Sequence, residues 1–425
     1  MNTSDALAPS IDGGAETRAG ATADTATARP RLTVHLWHGY GVNTWRAAQR
    51  AGGAPNPDHT PYSYHLFADG GFDVRFSEDR AEGPVGRFLR RAVNRVVGCD
   101  ILHALHNRHR ILGADVVWTH SEREAAAVAL LLALWSVLTL GQGRTPQLVT
   151  RIVWLLDDWR AMGWRRRTLY RRLLGRATFA MISHREADVR ALLPEATAQR
   201  VPWGIDLDAF LGVRPDGAGA VHDPVRVLSV GNDVHRDWDA LFGAFAGDRR
   251  YALRVLTPRR LPVPDGAGNV ELRKARGAED VKAGYAWADV VVLPLRHNLH
   301  ISGITVLMEA AAAGVPIVAT RQPDLDEYLG DGEVLYVADN DPATLRAAVD
   351  ALAADPERRR NMAAAAQRRL VDGNHRRETY VRHCAAVCQG ALERANRPEG
   401  RQQATRPTGR QQDGQGETAR RRDDA

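Results

Sequence analysis

The chain has 425 residues and a net charge of +6 from 57 basic and 51 acidic side chains; it is 44% apolar and 25% charged. That balance describes a globular protein with material for two or three domains, and with no recognised nucleic-acid motif it is too mild to demand a nucleic-acid partner. Three cysteines, Cys99, Cys384 and Cys388, form neither a disulfide framework nor a zinc pattern, which fits a reducing cytoplasm.

Residues 1–30 are rich in Ala, Thr, Gly and Asp and lack the apolar run of a secretory signal, so they read as a disordered tail. The first strand is expected at 32–37, followed by the glycine-bearing loop His38-Gly39-Tyr40-Gly41. Further strands are expected at 74–76, 114–119, 148–155 and 177–182, with helical patterns between them. The apolar run Ala125–Leu140 falls short of the ~20 residues that span a bilayer and reads as a buried helix. Between Trp154 and Arg176 a run of arginines (Arg160, Arg165, Arg166, Arg167, Arg171, Arg172, Arg176) is interleaved with Trp159, Trp164 and Tyr170. Such a segment suits a surface against anionic lipid headgroups, and equally a solvated helix face with its tryptophans turned inward. Ser183, His184 and Glu186 open a helix, for which capping is sufficient explanation.

VPWGIDLDAF (Val201–Phe210) and the Pro/Gly-rich stretch to Pro224 form the expected linker, and the acid pair Asp206 and Asp208 is poorly placed there to bind a metal. A second unit then restarts, with strands expected at 225–230, 252–256, 270–272, 290–293, 316–319 and 334–336. Helices follow at 342–352, 356–371 and 376–394, the last lying beyond the second sheet. Alternating strands and helices imply α/β domains with parallel sheets covered on both faces. The organisation is a first Rossmann-like domain at 31–203, the linker at 204–224, a second Rossmann-like domain at 225–375, a helix at 376–395 and a disordered tail at 396–425. Ligands should bind in the cleft between the halves, outside the carboxyl ends of the strands.

The most informative stretch is SGITVLMEAAAAGVPIVAT, Ser302–Thr320. Ser302, Gly303, Ile304 and Thr305 open an Ala-rich helix that stops at Gly314. Unpaired N–H groups and the helix dipole make that opening an anion site, and Gly303 lets a diphosphate approach the backbone. Glu309 lies one turn beyond Thr305 on the same face, where a carboxylate accepts ribose hydroxyls.

Three motifs resemble those of retaining glycosyltransferases of the GT-B fold, most closely family four. They are VPWGIDLDAF, VLSVGNDVHRDWDALFGAF (Val227–Phe245) and DVVVLPLRHNLHISGITVLMEAAAAGVPIVAT (Asp289–Thr320). The resemblance covers about residues 200–370; the first half matches in architecture alone. It implies two Rossmann-like domains facing each other across a cleft, and transfer of a sugar from a nucleoside-diphosphate sugar with retention and without a metal. The acceptor is a glycan, a lipid-linked sugar or a small molecule, and the location is cytoplasmic or peripheral at the inner face of the membrane. A nucleotide- or glycan-binding protein of the same fold, without turnover, is the alternative. By the same resemblance Arg236 is the cation for the donor phosphates and His120 faces the donor sugar from the first half. Gly39, Gly41, Gly231, Asn232, Asn298, Ser302, Gly303, Ile304, Thr305 and Glu309 bind the donor, with hydroxyl contacts available from Ser302, His300 and Asn298. The pattern departs at Ile301, where the first of two glutamates should stand, and at Asn232, where an arginine is common.

Overall fold

The computed structural model describes residues 28–51, 60–214, 219 and 221–397, so both expected tails fall almost wholly outside the described residues. Two parallel six-stranded sheets organise the chain. The first holds β1 (Arg31–His35), β2 (Asp73–Phe76), β3 (Val116–Thr119), β4 (Gln147–Arg151), β5 (Thr178–Met181) and β6 (Thr197–Arg200), in the order β2-β1-β3-β4-β5-β6. The second holds β7 (Val225–Val230), β8 (Tyr251–Leu256), β9 (Val270–Arg273), β10 (Val290–Leu293), β11 (Ile317–Thr320) and β12 (Leu335–Val337), in the order β12-β11-β10-β7-β8-β9. Strand order reverses between β1 and β3 and again between β7 and β10. Loops leaving neighbouring strands diverge at such points and open a crevice, which fixes where ligands go.

Inner strands β3, β5, β10 and β11 are buried at every residue, as helices on both faces require. β6 is the strand that sequence patterning misses. Its residues, Thr-Ala-Gln-Arg, alternate between exposed and half-buried at the sheet's edge, so no apolar run marks it. The strand expected at 148–155 stops at Arg151 because the buried Glu122 carboxylate accepts the N–H groups of Val153 and Trp154 (2.9 and 3.2 Å), and a short helix, Leu155–Asp158, follows. The apolar run expected to be buried throughout forms the helix Glu122–Leu138, started by a capping box between Ser121 and Glu124. Its first half is buried, but Leu134, Val137, Leu138 and the following Leu140 are exposed.

The linker is packed tightly. A Cβ on Gly204 would lie 2.2 Å from the Arg376 carbonyl oxygen, and Ile205 exchanges backbone hydrogen bonds with His375 and Arg377. The C-terminal helix, Arg377–Asn396, does not stay beyond the second sheet. It crosses back onto the first half, where Gln389 donates to the Gly70 carbonyl (2.7 Å) and Arg394 to Thr178 Oγ1 (3.2 Å). Tyr380, Cys384 and Cys388 are buried in a core shared by both halves, and burial pushes the Cys384 thiol up to about 12, which makes it inert.

Candidate active site

Arg236 sits in the crevice between β7 and β10. Its guanidinium is 3% exposed, donates from Nε to the Val230 carbonyl (3.3 Å) and from Nη1 to Ser302 Oγ (2.9 Å), and is bracketed by two glycines. A Cβ on Gly231 would meet Arg236 Nε at 2.6 Å, and one on Gly303 would meet Nη1 at 3.1 Å. Gly303 also has φ 94°, a left-handed conformation that glycine adopts without penalty. Those hydrogen-bond partners are neutral, and burial lowers the Arg236 pKa to about 10. A buried cation with neutral partners costs stability, and an anion in the crevice offsets that cost.

The β10 loop is shaped by side chains that sequence reasoning assigned to the donor. Asn298 is buried, accepts the Ser302 N–H (2.8 Å) and donates to the Arg296 carbonyl (3.0 Å), while its own N–H donates to Gln322 Oε1 (3.2 Å). Its side chain thus holds the loop, while Oδ1, which accepts one bond, keeps a second lone pair. Ile301, at the site of the expected glutamate, is buried at φ 54°. A left-handed β-branched residue costs about 1–3 kcal/mol. The Ile304 N–H donates to its carbonyl (3.2 Å), and the turn aims Ser302 and Gly303 at Arg236.

Helix Ile304–Ala312 begins at Gly303 with no side-chain cap, so beyond the Ile304 N–H, which the Ile301 carbonyl takes, its first N–H groups have no side-chain partner. Thr305 Oγ1 accepts from Trp203 Nε1 of the linker (3.2 Å), tying this helix to the hinge. One turn on, Glu309 Oε2 accepts the Tyr285 hydroxyl (3.0 Å), and burial pushes its pKa up to about 7. Asn232 is exposed beside these groups, and its carbonyl accepts from Arg259 (3.1 Å).

His300 makes a contact between the halves that sequence reasoning missed. Its Nδ1 lies 2.6 Å from Asp157 Oδ2 in the first half and its Nε2 lies 2.9 Å from Asp233 Oδ2 in the second. The Leu299 N–H adds a bond to Asp157 Oδ1 (2.8 Å). The two carboxylates outweigh burial and raise the His300 pKa to about 9, so it is an imidazolium at neutral pH. With both nitrogens committed it has no donor left for a sugar hydroxyl, which corrects the expected contact. Among the described residues, Asp233, His235 and His300 are the group whose ligand atoms, within 4.8 Å of one another, could hold a metal ion.

The first half departs most from expectation. Gly39 N and Gly41 N, expected to face the donor, both donate to the Asp79 carboxylate (3.0 and 2.9 Å), which also accepts from Thr44 Oγ1 (2.6 Å). A carboxylate from the exit of β2 thus fills the anion site of that loop. His120 is likewise enclosed. Tyr62 stacks on its ring at 3.7 Å, Tyr64 Oη lies 2.8 Å from Nδ1, and Arg151 Nη1 lies 3.5 Å from Nε2. Burial, then the charges of Arg151 and Arg377, keep His120 neutral. Arg151 in turn stacks on Trp203 at 4.1 Å, so His120 buttresses the hinge that reaches Thr305.

In the arginine–tryptophan segment Arg160, Arg165, Arg171, Arg172 and Arg176 are exposed, and three guanidinium groups are tied to backbone carbonyls. Arg166 donates to the Gly98 carbonyl (3.2 Å), Arg167 to those of Met162 and Arg160 (2.7 and 2.8 Å), and Arg171 to that of Leu192 (3.2 Å). Trp159 is buried and Trp164 exposed. The amphipathic exposed element lies elsewhere, in the helix Pro84–Val97, which has no buried residue and presents Val85, Phe88 (74% exposed), Leu89 and Val96 (87%) among arginines. No helix among the described residues is long and apolar enough to cross a membrane.

Comparison with known proteins adds to this geometry. Residues 244–355 match the family model described as glycosyl transferases group 1. A GDP-mannose-dependent alpha-(1-6)-phosphatidylinositol monomannoside mannosyltransferase of Mycolicibacterium smegmatis is 29% identical over 219 residues, 46% of this chain. The match spans 57% of that relative's length. Sucrose-phosphate synthase of Thermosynechococcus elongatus superposes with a TM-score of 0.63 at 16% identity, covering 85% of this chain and 99% of its own. Anabaena HepE, solved with UDP and glucose, superposes with a TM-score of 0.55 at 13% identity, covering 85% and 100%.

Proposed function

We propose that the chain, a member of the group 1 glycosyltransferases with the GT-B fold, transfers a sugar from a nucleoside-diphosphate sugar to a hydroxyl of a membrane-associated acceptor. The observation that carries this reading is Arg236, a buried cation with neutral hydrogen-bond partners, held against two glycines at the strand-order reversal of the second sheet. The donor diphosphate lies across Arg236 and the N–H groups of Gly303 and Thr305, those of Ser302 and Ile304 being held by Asn298 and the Ile301 carbonyl, and Glu309 takes the ribose. As the bond from the sugar's anomeric carbon to the diphosphate oxygen breaks, negative charge grows on that oxygen, where Arg236 and the N–H groups stabilise it. The acceptor oxygen bonds to the same face of the anomeric carbon, and its proton passes to the departing phosphate, which gives retention. Arg236 supplies the positive charge that a metal would otherwise bring, so a chelator should leave the rate unchanged. A thermal-shift screen of nucleoside diphosphates and their sugars tests the reading: a ligand at about 100 times its Kd stabilises by ~2.7 kcal/mol, and no shift with any nucleotide would sink it.

Ile301 favours a second reading, a protein that binds nucleotide or glycan without turnover, and measurable transfer or hydrolysis excludes it. The acceptor side of the proposal rests on the helix Pro84–Val97, whose exposed Phe88 and Val96 stand among Arg87, Arg91 and Arg95. Apolar side chains framed by arginines fit an anionic bilayer, each basic group contributing about 1 kcal/mol near such a surface. The protein should sediment with anionic vesicles, Phe88→Asp should release it, and Trp164→Asp should not.

A further inference from the structure

The contact between the halves carries one side chain more than it needs. His300, its side chain 5% exposed, already joins Asp157 of the first half to Asp233 of the second. A second imidazole, His235, sets Nδ1 3.1 Å from Asp233 Oδ1, the other oxygen of the same carboxylate. The two rings meet edge to face with centroids 4.8 Å apart. Among the described residues Asp233 is the hydrogen-bond partner of the His235 side chain, so this imidazole adds nothing to the link between the halves.

Three ligand atoms converge here, an oxygen of Asp233 and a nitrogen each of His235 and His300, all within 4.8 Å of one another. Around a tetrahedral ion with bonds of about 2.0–2.1 Å, ligand atoms stand about 3.4 Å apart. The pairs at 2.9 and 3.1 Å therefore have to open only slightly to admit one. Their backbones are already fixed to one another. The Arg296 N–H donates to the His235 carbonyl (2.7 Å) and the Asp237 N–H to the Pro294 carbonyl (2.9 Å), which laces the loop after β7 to the loop after β10. Asp157 supplies what stands behind a metal-bound histidine. Its Oδ2 lies 2.6 Å from His300 Nδ1, so it takes the Nδ1 hydrogen and leaves Nε2 to face Asp233 and the ion. With both imidazoles neutral, the carboxylates of Asp233 and Asp157 match the two charges of a divalent cation.

We infer that Asp233, His235 and His300 form a binding site for a divalent transition ion of the zinc class, with Asp157 as its outer carboxylate. On binding, the ion replaces the hydrogen on His300 Nε2, which leaves to solvent as a proton. Two imidazole nitrogens and one carboxylate suit zinc, cobalt or nickel, whereas magnesium and calcium favour all-oxygen sets. Arg236 and the start of helix Ile304–Ala312 are not ligands, so the ion takes no part in the sugar transfer proposed above. Its effect is mechanical: it fastens the β7 loop to the β10 loop and, through His300 and Asp157, the second half to the first.

The full chain, stripped with a chelator and dialysed, is titrated with zinc, cobalt and magnesium chlorides. Calorimetry should find one zinc site roughly a hundredfold or more tighter than any magnesium binding. Cobalt should develop visible absorption, and zinc should raise Tm. His235→Ala should weaken zinc at least tenfold and abolish the rise in Tm; the side chain is half-buried with a single hydrogen-bond partner, so the fold tolerates its loss. Asp157→Asn should weaken zinc about tenfold, the usual cost of removing an outer carboxylate. His109→Ala, at an exposed histidine outside the cluster, should leave zinc affinity within twofold. Zinc held no more tightly than magnesium, or equally by wild type and His235→Ala, overturns the inference. A loss in His109→Ala as large as in His235→Ala also overturns it, since the ion then sits on scattered surface histidines.

Discussion

The two halves share an architecture and treat the same backbone device in opposite ways. In the second, glycines at the strand-order reversal clear space for Arg236, and the helix start beside it has no side-chain cap. In the first, the glycine loop is closed by Asp79, and the nearby histidine is boxed by Tyr62, Tyr64 and Arg151. A glycine-rich turn is therefore an opportunity for anion binding and not evidence of it. What decides is whether a side chain from elsewhere in the fold has already taken the N–H groups.

The largest expected effect breaks the second half's side of this contrast. Arg236→Ala should lower turnover about 10²–10³-fold, the cost of removing a donor that acts on developing charge. Stability should move little or rise, because burial lowers the arginine's pKa to about 10 and its removal relieves that cost. Parallel loss of activity and Tm would return Arg236 to a structural role.

Next in size is the bridge between the halves. The His300 pKa rises from 6.5 to about 9, a stabilisation on the order of 3 kcal/mol that is complete below pH ~6.5. It is lost as pH rises through about 9. Asp157 is held below its ordinary value of 3.8 by His300 and the Leu299 N–H, despite burial, so its share is lost as pH falls below about 4. Small-angle scattering should find the halves docked between these limits and separating above pH 9. His300→Phe should remove the alkaline step; an unchanged profile would place the titrating group elsewhere.

Glu309→Gln separates binding from folding. A carboxylate that accepts ribose hydroxyls contributes ~1.5–3 kcal/mol through charge-assisted bonds, so nucleotide affinity should fall roughly tenfold or more. The free protein should become more stable at pH 8. Burial raises the Glu309 pKa to about 7, so ionisation costs stability as pH rises from the unfolded value of 4.5 through 7, and glutamine does not ionise. Wild-type affinity should also weaken below pH 7. Calorimetry and melting at two pH values check both signs, and a shared sign would make Glu309 a packing residue.

These residues also show what could be read from the chain. The second half's site is local: Ser302, Gly303 and Glu309 lie on one loop and helix, so their spacing carries the geometry. Arg236 is legible for the same reason, six residues along the chain from the Val230 carbonyl to which it donates. Asp79 closes the glycine loop from another strand's exit, and Asp157 meets His300 from the other half, so neither has a local signal. The strand at 148–155 overran because apolarity continues past Arg151, whereas the ladder ends where Glu122 takes the next N–H groups. Edge strand β6 had no apolar pattern to find.

The smallest expected effect tests the first half's side of the contrast most directly. Asp79→Asn keeps an acceptor oxygen but removes the charge shared by Gly39 N, Gly41 N and Thr44 Oγ1. Loss of charge assistance from these bonds should cost about 1–2 kcal/mol of stability, part of it offset by the remaining carbonyl oxygen. Nucleotide affinity should stay within about threefold of wild type if Asp79 permanently fills the loop. If the donor diphosphate instead displaces Asp79 when it binds, the substitution removes a competing anion from the site and affinity rises more than threefold. Calorimetry of nucleoside diphosphate against both proteins reads the difference. A rise would make the glycine loop a gated part of the donor site, with Asp79 as the occupant that must leave, and the two halves would differ only until the donor arrives.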